Sequence, residues 1–325
     1  MLKSKGKSTS LPVSVPANQH GWKGIKRELW KNRIMFLMIL PVMIYVIIFN
    51  YLPMGGIIVA FKNFNYRDGI LGSPWVGMAN FKFLVQGGVL WRITRNTVLY
   101  NIAFMVVDMV CQIAVAVMLN EVRQKWFKKF SQSLMFLPYF ISFVLVQSIC
   151  YGIFSYEYGL LNNILKSAGM EAVNVYTNAS VWPALLVFFH EWKGIGYGVV
   201  VYMAAITGIS AEYYEAARVD GATKWQQIKL ITLPLLKPTA ITLFLFAVGK
   251  IMKGQFELFF QLVGKNGMLF EVTDIIDTYV FRTITQSFDP GMSTAAGLYQ
   301  SAFGFILIMT VNTIVKKIQP DYALF

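Results

Sequence analysis

The chain has 325 residues, of which 56% are hydrophobic and 14% charged, with 26 Phe among them. A soluble domain carries about 25% charge, so this composition belongs to the membrane. It excludes a disordered chain, a nucleic-acid module and an ordinary cytosolic enzyme. The net charge of +13 gains meaning only from where the charges fall.

Residues 1–29 read as a polar, basic tail, and the Ser, Lys and Pro content of the first 20 leads one to expect mobility there. No small-residue cleavage site follows the first apolar run, so it does not read as a cleavable signal. About 20 apolar residues are needed to cross the hydrocarbon core. Six stretches qualify: 34–61, with bends expected at Pro41 and Pro53, then 97–119, 134–154, 181–209, 239–263 and 295–315. Residues 30–325 therefore read as one all-α integral membrane domain of six transmembrane helices, without internal repeat. The outer connections carry loop punctuation, such as Gly72-Ser73-Pro74 and Asp289-Pro290-Gly291. Cys111 and Cys150 both sit inside apolar runs and read as packing rather than as a disulfide or metal pair.

Lys and Arg fix the orientation. Eighteen fall before the first stretch, in the 2–3 and 4–5 connections and at the C-terminus, against eight in the opposite connections. By the positive-inside rule both termini are expected in the cytoplasm of a multi-pass protein.

The cytoplasmic 4–5 connection, residues 211–238, has its own pattern. A helical stretch over 211–219 carries Ala216 and Ala217 on a face of little bulk, and Gly221 permits a sharp turn. A second helical stretch over 223–231 places Trp225, Ile228 and Ile231 on one side, and Pro234 and Pro238 are expected to stop it. The product is a helix–turn–helix at the membrane surface, suited to docking in a cleft of another protein.

Glu215-Ala216-Ala217, Asp220-Gly221-Ala222 and Ile231-Thr232-Leu233-Pro234 resemble the "EAA" signature of permease subunits from binding-protein-dependent ABC importers. One departure is Ser210 after Ile209, where relatives tend to have Pro. The resemblance implies that Glu215, Ala216, Ala217, Asp220 and Gly221 form a coupling helix seated in a groove of a cytoplasmic ATPase. Gly72-Ser73-Pro74-Trp75-Val76-Gly77 with Asn80-Phe81 resembles the first outer loop of sugar-importer permeases. The run from Asp274 to Arg282, and Asn312 with Lys316-Lys317, look like the polysaccharide or oligosaccharide branch. The same resemblance implies a homologous second permease subunit, two ATPase subunits holding ATP and Mg, an extracellular solute-binding protein, and the plasma (inner) membrane of a prokaryote.

Ionisable residues at membrane depth are costly and normally face protein or a wet cavity. In the fifth stretch Lys250, Lys253, Glu257 and Gln261 fall on one stripe of a continuous helix. Lys250 lies about 18 Å in. The stripe either lines a passage or holds a self-neutralising Lys253–Glu257 pair. In the fourth stretch His190-Glu191-Trp192-Lys193 precede Gly194, Gly196 and Gly198. They read either as a kinked, cavity-lining stretch or as an interface just before the true span. Asp108 and Asn101 share a face of the second stretch, to touch substrate or a neighbouring helix. Aromatic residues such as Tyr139, Tyr197 and Tyr202 suit sugar stacking as well as ordinary packing.

The chain has no Gly-rich phosphate loop and no nucleophile–base arrangement, and no metal site is expected. The expected function is therefore a non-enzymatic transport subunit that takes up oligosaccharides through an ATP-driven assembly, with lipid and protein as partners and no nucleic acid. Two other readings remain open from residues alone. One is an ion-coupled secondary transporter using Lys250, Lys253 and Glu257; the other is a membrane scaffold.

Overall fold

The computed structural model describes residues 30–318; the basic tail expected over 1–29 lies outside the described residues. Among those described there is no strand, and Lys62 and Trp75 make an isolated bridge. The chain forms two compact units, Met1–Gly56 and Ile57–Phe325.

The first unit holds helix α1, Arg33–Val46, which widens into a π turn at Ile47–Tyr51. A 3-10 stretch, Leu52–Phe61, completes a 29-residue apolar run. None of the most apolar window of this run is buried within the protein. Its length and all-round apolar composition suffice to cross a bilayer. Pro41 sits inside regular helix, and the π turn precedes Pro53. A widened turn relieves the clash of a proline ring with the carbonyl four residues back, so helix type changes there.

In the second unit, α2 (Ala79–Gln86) leads through Gly88, at φ +66°, into the 33-residue α3, Val89–Glu121. α3 starts eight residues ahead of the stretch expected from hydropathy. Next come α4 (Lys125–Phe136), α5 (Phe143–Phe154), α6 (Leu160–Ser167) and the long α7 (Trp182–Thr207). α8 (Ala211–Val219) and α9 (Lys224–Gln227) follow, then α10 (Leu233–Val248), α11 (Phe256–Val263), α12 (Ile276–Thr285) and α13 (Pro290–Ile318).

α3 and α7 are the central pair. At one end Tyr100 and Phe104 of α3 pack with Trp182, Leu186 and Phe189 of α7 and with Leu258 and Phe259 of α11. At the other, Ala116 and Leu119 meet Val199, Tyr202, Met203 and Ile206, closed by Leu236 of α10. Cys150 is buried in the first of these clusters, where the Tyr176 hydroxyl points at its sulfur from 3.9 Å. Asn80 of α2 donates to the Ala60 and Lys62 carbonyls at 2.9 and 3.1 Å, which ties α2 to the end of the 3-10 stretch.

Four expectations are corrected. The third span is two helices: α4 with a 3-10 turn, Leu137–Phe140, meets α5 at 99°. The fifth is also broken, because α10 ends at Val248 and α11 starts at Phe256. Lys250 and Lys253 therefore lie in non-helical chain, and the four-residue stripe with Glu257 and Gln261 does not exist as one helical face. Pro234 and Pro238 do not stop the helix; Lys224–Val248 runs on for 25 residues, with a π turn at Ile228–Thr232 ahead of the prolines. Finally, α7 passes through Gly194, Gly196 and Gly198 without a break. A Cβ on Gly196 would collide with the Met135 and Phe136 backbone, and one on Gly198 with the Gln112 side chain. These glycines admit close helix contact, as small residues do inside membranes.

Candidate functional site

Both broken helices open onto one cavity of about 590 Å³. α3 gives it Asp108, Met109 and Gln112; α7 gives Tyr197, Val201 and Tyr202; α10 gives Leu243 and Phe244. The breaks give Tyr139, Lys250 and Gln255. The wall is mostly apolar and aromatic, with a few polar groups converging on it, which is the usual make-up of a small-molecule site.

Irregular backbone at membrane depth must find its hydrogen bonds elsewhere in the protein. At the fifth-span break, Asn101 Nδ2 donates to the Ile251 and Lys253 carbonyls at 3.0 and 3.2 Å. Gln300 Nε2 donates to the Met252 carbonyl at 2.6 Å, and the Gly254 N–H donates to Asp277 at 2.7 Å. At the third-span break, Lys193 Nζ donates to the carbonyls of Pro138, Tyr139 and Ile141. Asn101 thus acts as a fastener between helices, while its shared face with Asp108 still points to the interior. Gln300, Asp277 and Lys193 hold the breaks in place, and sequence reasoning missed that work.

His190 to Lys193 of α7 and Asn101 of α3 do not line the cavity; His190 and Glu191 stand behind its Asp108. His190 Nε2 lies 3.1 and 3.2 Å from the two Asp108 oxygens and its ring stacks on Phe104 at 3.9 Å. Glu191 is 8% exposed, and neither of its oxygens has a hydrogen-bond donor. Trp192 packs on the edge of the first core cluster. His190 to Lys193 therefore sit well inside a continuous helix, and the kinked stretch does not describe them.

Of the remaining candidates, Lys250 faces the cavity, whereas Lys253 and Glu257 are exposed and form no ion pair with each other. Gln261, partly buried on α11, does not line it. Gln112, Tyr197, Tyr202 and Gln255 are cavity residues whose signal in the sequence was only a polar or aromatic side chain in an apolar run. Among the described residues no group of three His, Cys, Asp or Glu lies together for a metal.

The 4–5 connection forms its first helix, turn and restart where the sequence places them, though its second helix runs on through the prolines. Ser210 caps α8, accepting from the Glu212 N–H. Gly221, at φ +79°, closes it: the Gly221 N–H reaches the Arg218 carbonyl at 3.1 Å and the Ala222 N–H the Ala217 carbonyl at 2.8 Å. That bond pair is the Schellman cap, for which glycine is favoured. Thr223 and Gln226 then form a capping box that starts α9. Tyr214 bonds Thr232 at 3.0 Å, and Lys224 pairs with Glu121 of α3 at 2.9 Å, tying the element to the bundle. Glu215, Ala216, Asp220 and Gly221 are exposed and Ala217 is half-buried. Tyr213, Val219 and Trp225 are exposed beside them, apolar surface that the signature alone does not reveal.

Residues 112–320 match the family described as "Binding-protein-dependent transport system inner membrane component". The chain is 34% identical over 290 residues to the polygalacturonan/rhamnogalacturonan transport system permease protein YteP of Bacillus subtilis, covering 89% of this chain and 90% of that one. It is 32% identical over 317 residues to protein LplB of the same organism, covering 97% and 98%. In three dimensions it is similar, with a TM-score of 0.83 and 31% identity, to a chain of a bacterial ABC transporter that imports the acidic polysaccharide alginate, over 91% of this chain and 99% of that one. A second structure, with a TM-score of 0.81, 30% identity and coverage of 90% and 97%, is that alginate transporter with an alginate pentasaccharide-bound periplasmic protein. The chain belongs to the family of inner-membrane components of binding-protein-dependent transport systems.

Proposed function

We propose that this chain is one of two permease subunits of an ATP-driven importer of oligosaccharides, with both termini in the cytoplasm. An extracellular solute-binding protein delivers the sugar, and two cytoplasmic ATPase subunits, which hold ATP and Mg, supply the work. The observation that carries the reading is the path of the chain: α8, the coupling helix, with the short α9 after it, connects α7 to α10, the two long helices that wall the cavity. Glu215, Ala216, Ala217, Asp220 and Gly221 dock on the ATPase, and its closure moves α7 and α10 as rigid levers. The cavity opens to one side of the membrane and then the other, a rigid-body form of alternating access.

Tyr139, Tyr197 and Tyr202 offer ring faces for the C–H faces of sugars, and Lys250 and Gln255 offer donors to hydroxyl or carboxylate oxygens. The relatives that handle polygalacturonan, rhamnogalacturonan and alginate support a saccharide cargo. The test is uptake of labelled oligosaccharides into proteoliposomes holding the assembled complex and its binding protein. ATP-dependent accumulation is expected; accumulation driven by a proton gradient without ATP would overturn it.

A further inference from the structure

Beside the cavity lies a second groove, of about 420 Å³, between α4 and the end of α7. Its rim carries Lys125, Lys128 and Lys129 with Gln132; Val200 and Ala204 of α7 form its wall. Among the described residues none of these lysines has an acidic partner, and the Gln132 amide makes no hydrogen bond. Glu121, the neighbouring acid, is held by Lys224. That bond also places the start of α4 at the same end of the bundle as the coupling segment.

α4 has the anatomy of an interfacial helix. Trp126, Phe127 and Phe130 are exposed on it between the lysines, and Trp126 stacks on Phe130 at 5.4 Å. Aromatic rings of this kind settle at headgroup level, and lysines beside them reach for anionic groups. An inorganic anion would need only the cations; a protein groove would need only the apolar wall. A molecule with an anionic head and a hydrocarbon tail satisfies both.

We propose that this groove is a binding site for one anionic phospholipid. Its phosphate is held by Lys125, Lys128, Lys129 and the Gln132 amide, and an acyl chain lies along Val200 and Ala204. The site goes beyond the transport reading and rests on that reading's orientation, which puts the lysines at the cytoplasmic leaflet, where acidic lipids attract such clusters.

The test is native mass spectrometry of the assembled complex in detergent, titrated with phosphatidylglycerol or phosphatidylcholine. The expected result is a phosphatidylglycerol adduct retained on this chain after phosphatidylcholine is stripped. Affinity should fall on the order of a hundredfold in the triple variant Lys125→Gln, Lys128→Gln, Lys129→Gln. Val200→Trp fills the groove, keeps every charge, and should also remove the adduct. Equal retention of the two lipids, an unchanged adduct in the triple variant, or retention in Val200→Trp each overturns the proposal. Binding to the isolated chain but not to the complex assigns the groove to the ATPase or the second permease instead. Detergent has no sidedness, so a wrong orientation leaves this result untouched and shows only in labelling from the two sides of a membrane.

Discussion

Arg282→Met should be among the most damaging single changes outside the membrane core. Asp274 has a fully buried side chain, and Arg282 grips it with two bonds, Nη1 to Oδ1 at 3.0 Å and Nη2 to Oδ2 at 2.6 Å. Breaking a buried pair by removing one partner costs about 3–5 kcal/mol. Two contacts soften the loss: Thr278 Oγ1 still donates to Asp274 at 2.9 Å, and Arg92 stands 3.7 Å away, partly exposed. The guanidinium also lies 4.2 Å from the Phe270 ring centroid, a contact worth about 1 kcal/mol that methionine only partly replaces. The net cost should be about 3 kcal/mol, or a fall in melting temperature of roughly 4–5 °C. Thermal unfolding of the detergent-solubilised protein reads it. Adding Asp274→Leu removes the stranded charge and should recover about 2 kcal/mol. A single variant that melts within about 2 °C of the parent, or a double variant worse than the two singles summed, would refute the buried-pair argument.

Gly221→Val puts a β-branched residue at φ +79°, at a cost of about 1–2 kcal/mol, and should insert normally while losing most ATPase on co-purification; full co-purification with normal uptake counts against coupling through α8. Lys193→Met takes the cation from the Pro138, Tyr139 and Ile141 carbonyls, of which Pro138 keeps the Ile141 N–H and Tyr139 is exposed; the part-buried Ile141 carbonyl is left orphaned at about 1–3 kcal/mol and the yield of folded protein should fall, whereas an unchanged yield means water replaces the ammonium. For topology, Ser73 is a poor labelling site because it is buried and bonded to the Gly69 carbonyl, whereas Leu71 is 89% exposed. Leu71→Cys should react with an impermeant thiol reagent from outside and Thr223→Cys should not; the reverse pattern inverts the orientation. Lys250→Met should change uptake with a melting shift under about 2 °C, because Lys250 faces the cavity and holds no ion pair; unchanged uptake removes it from the path.

The coupling segment was legible because every device in it is local. Ser210, Gly221, Thr223 and Gln226 act on partners two to five residues away, so spacing alone announces the helix, the turn and the restart. The spans were legible as apolar lengths, but the two breaks were not. The groups that make the breaks tolerable come from far along the chain: Lys193 lies 54 residues from Tyr139, and Asn101 lies 150 from Ile251. A hydropathy window sees residues 239–263 as one apolar run, and helical periodicity then places Lys250 and Glu257 on a single face. The weak local signs were Pro138 in the third span, and Gly249 and Gly254 flanking Lys250 in the fifth. The Asp108–His190 contact joins helices 82 residues apart and left no trace in spacing.

The Lys193 contact also sets an order of events during synthesis. The three carbonyls it caps belong to the third span, and the lysine itself belongs to the fourth, which leaves the ribosome later. Until α7 arrives, the Tyr139 and Ile141 carbonyls lack that ammonium, and the corner rests on local devices alone: the Ile141 N–H on the Pro138 carbonyl and the Ser142 cap of α5. The 99° corner is then expected to stay loose until α7 packs against α4 through Gly196. A nascent chain halted before residue 182 should therefore hold the Tyr139 region in a different register toward lipid from that in the finished protein, with the cavity wall absent until its neighbour is in place.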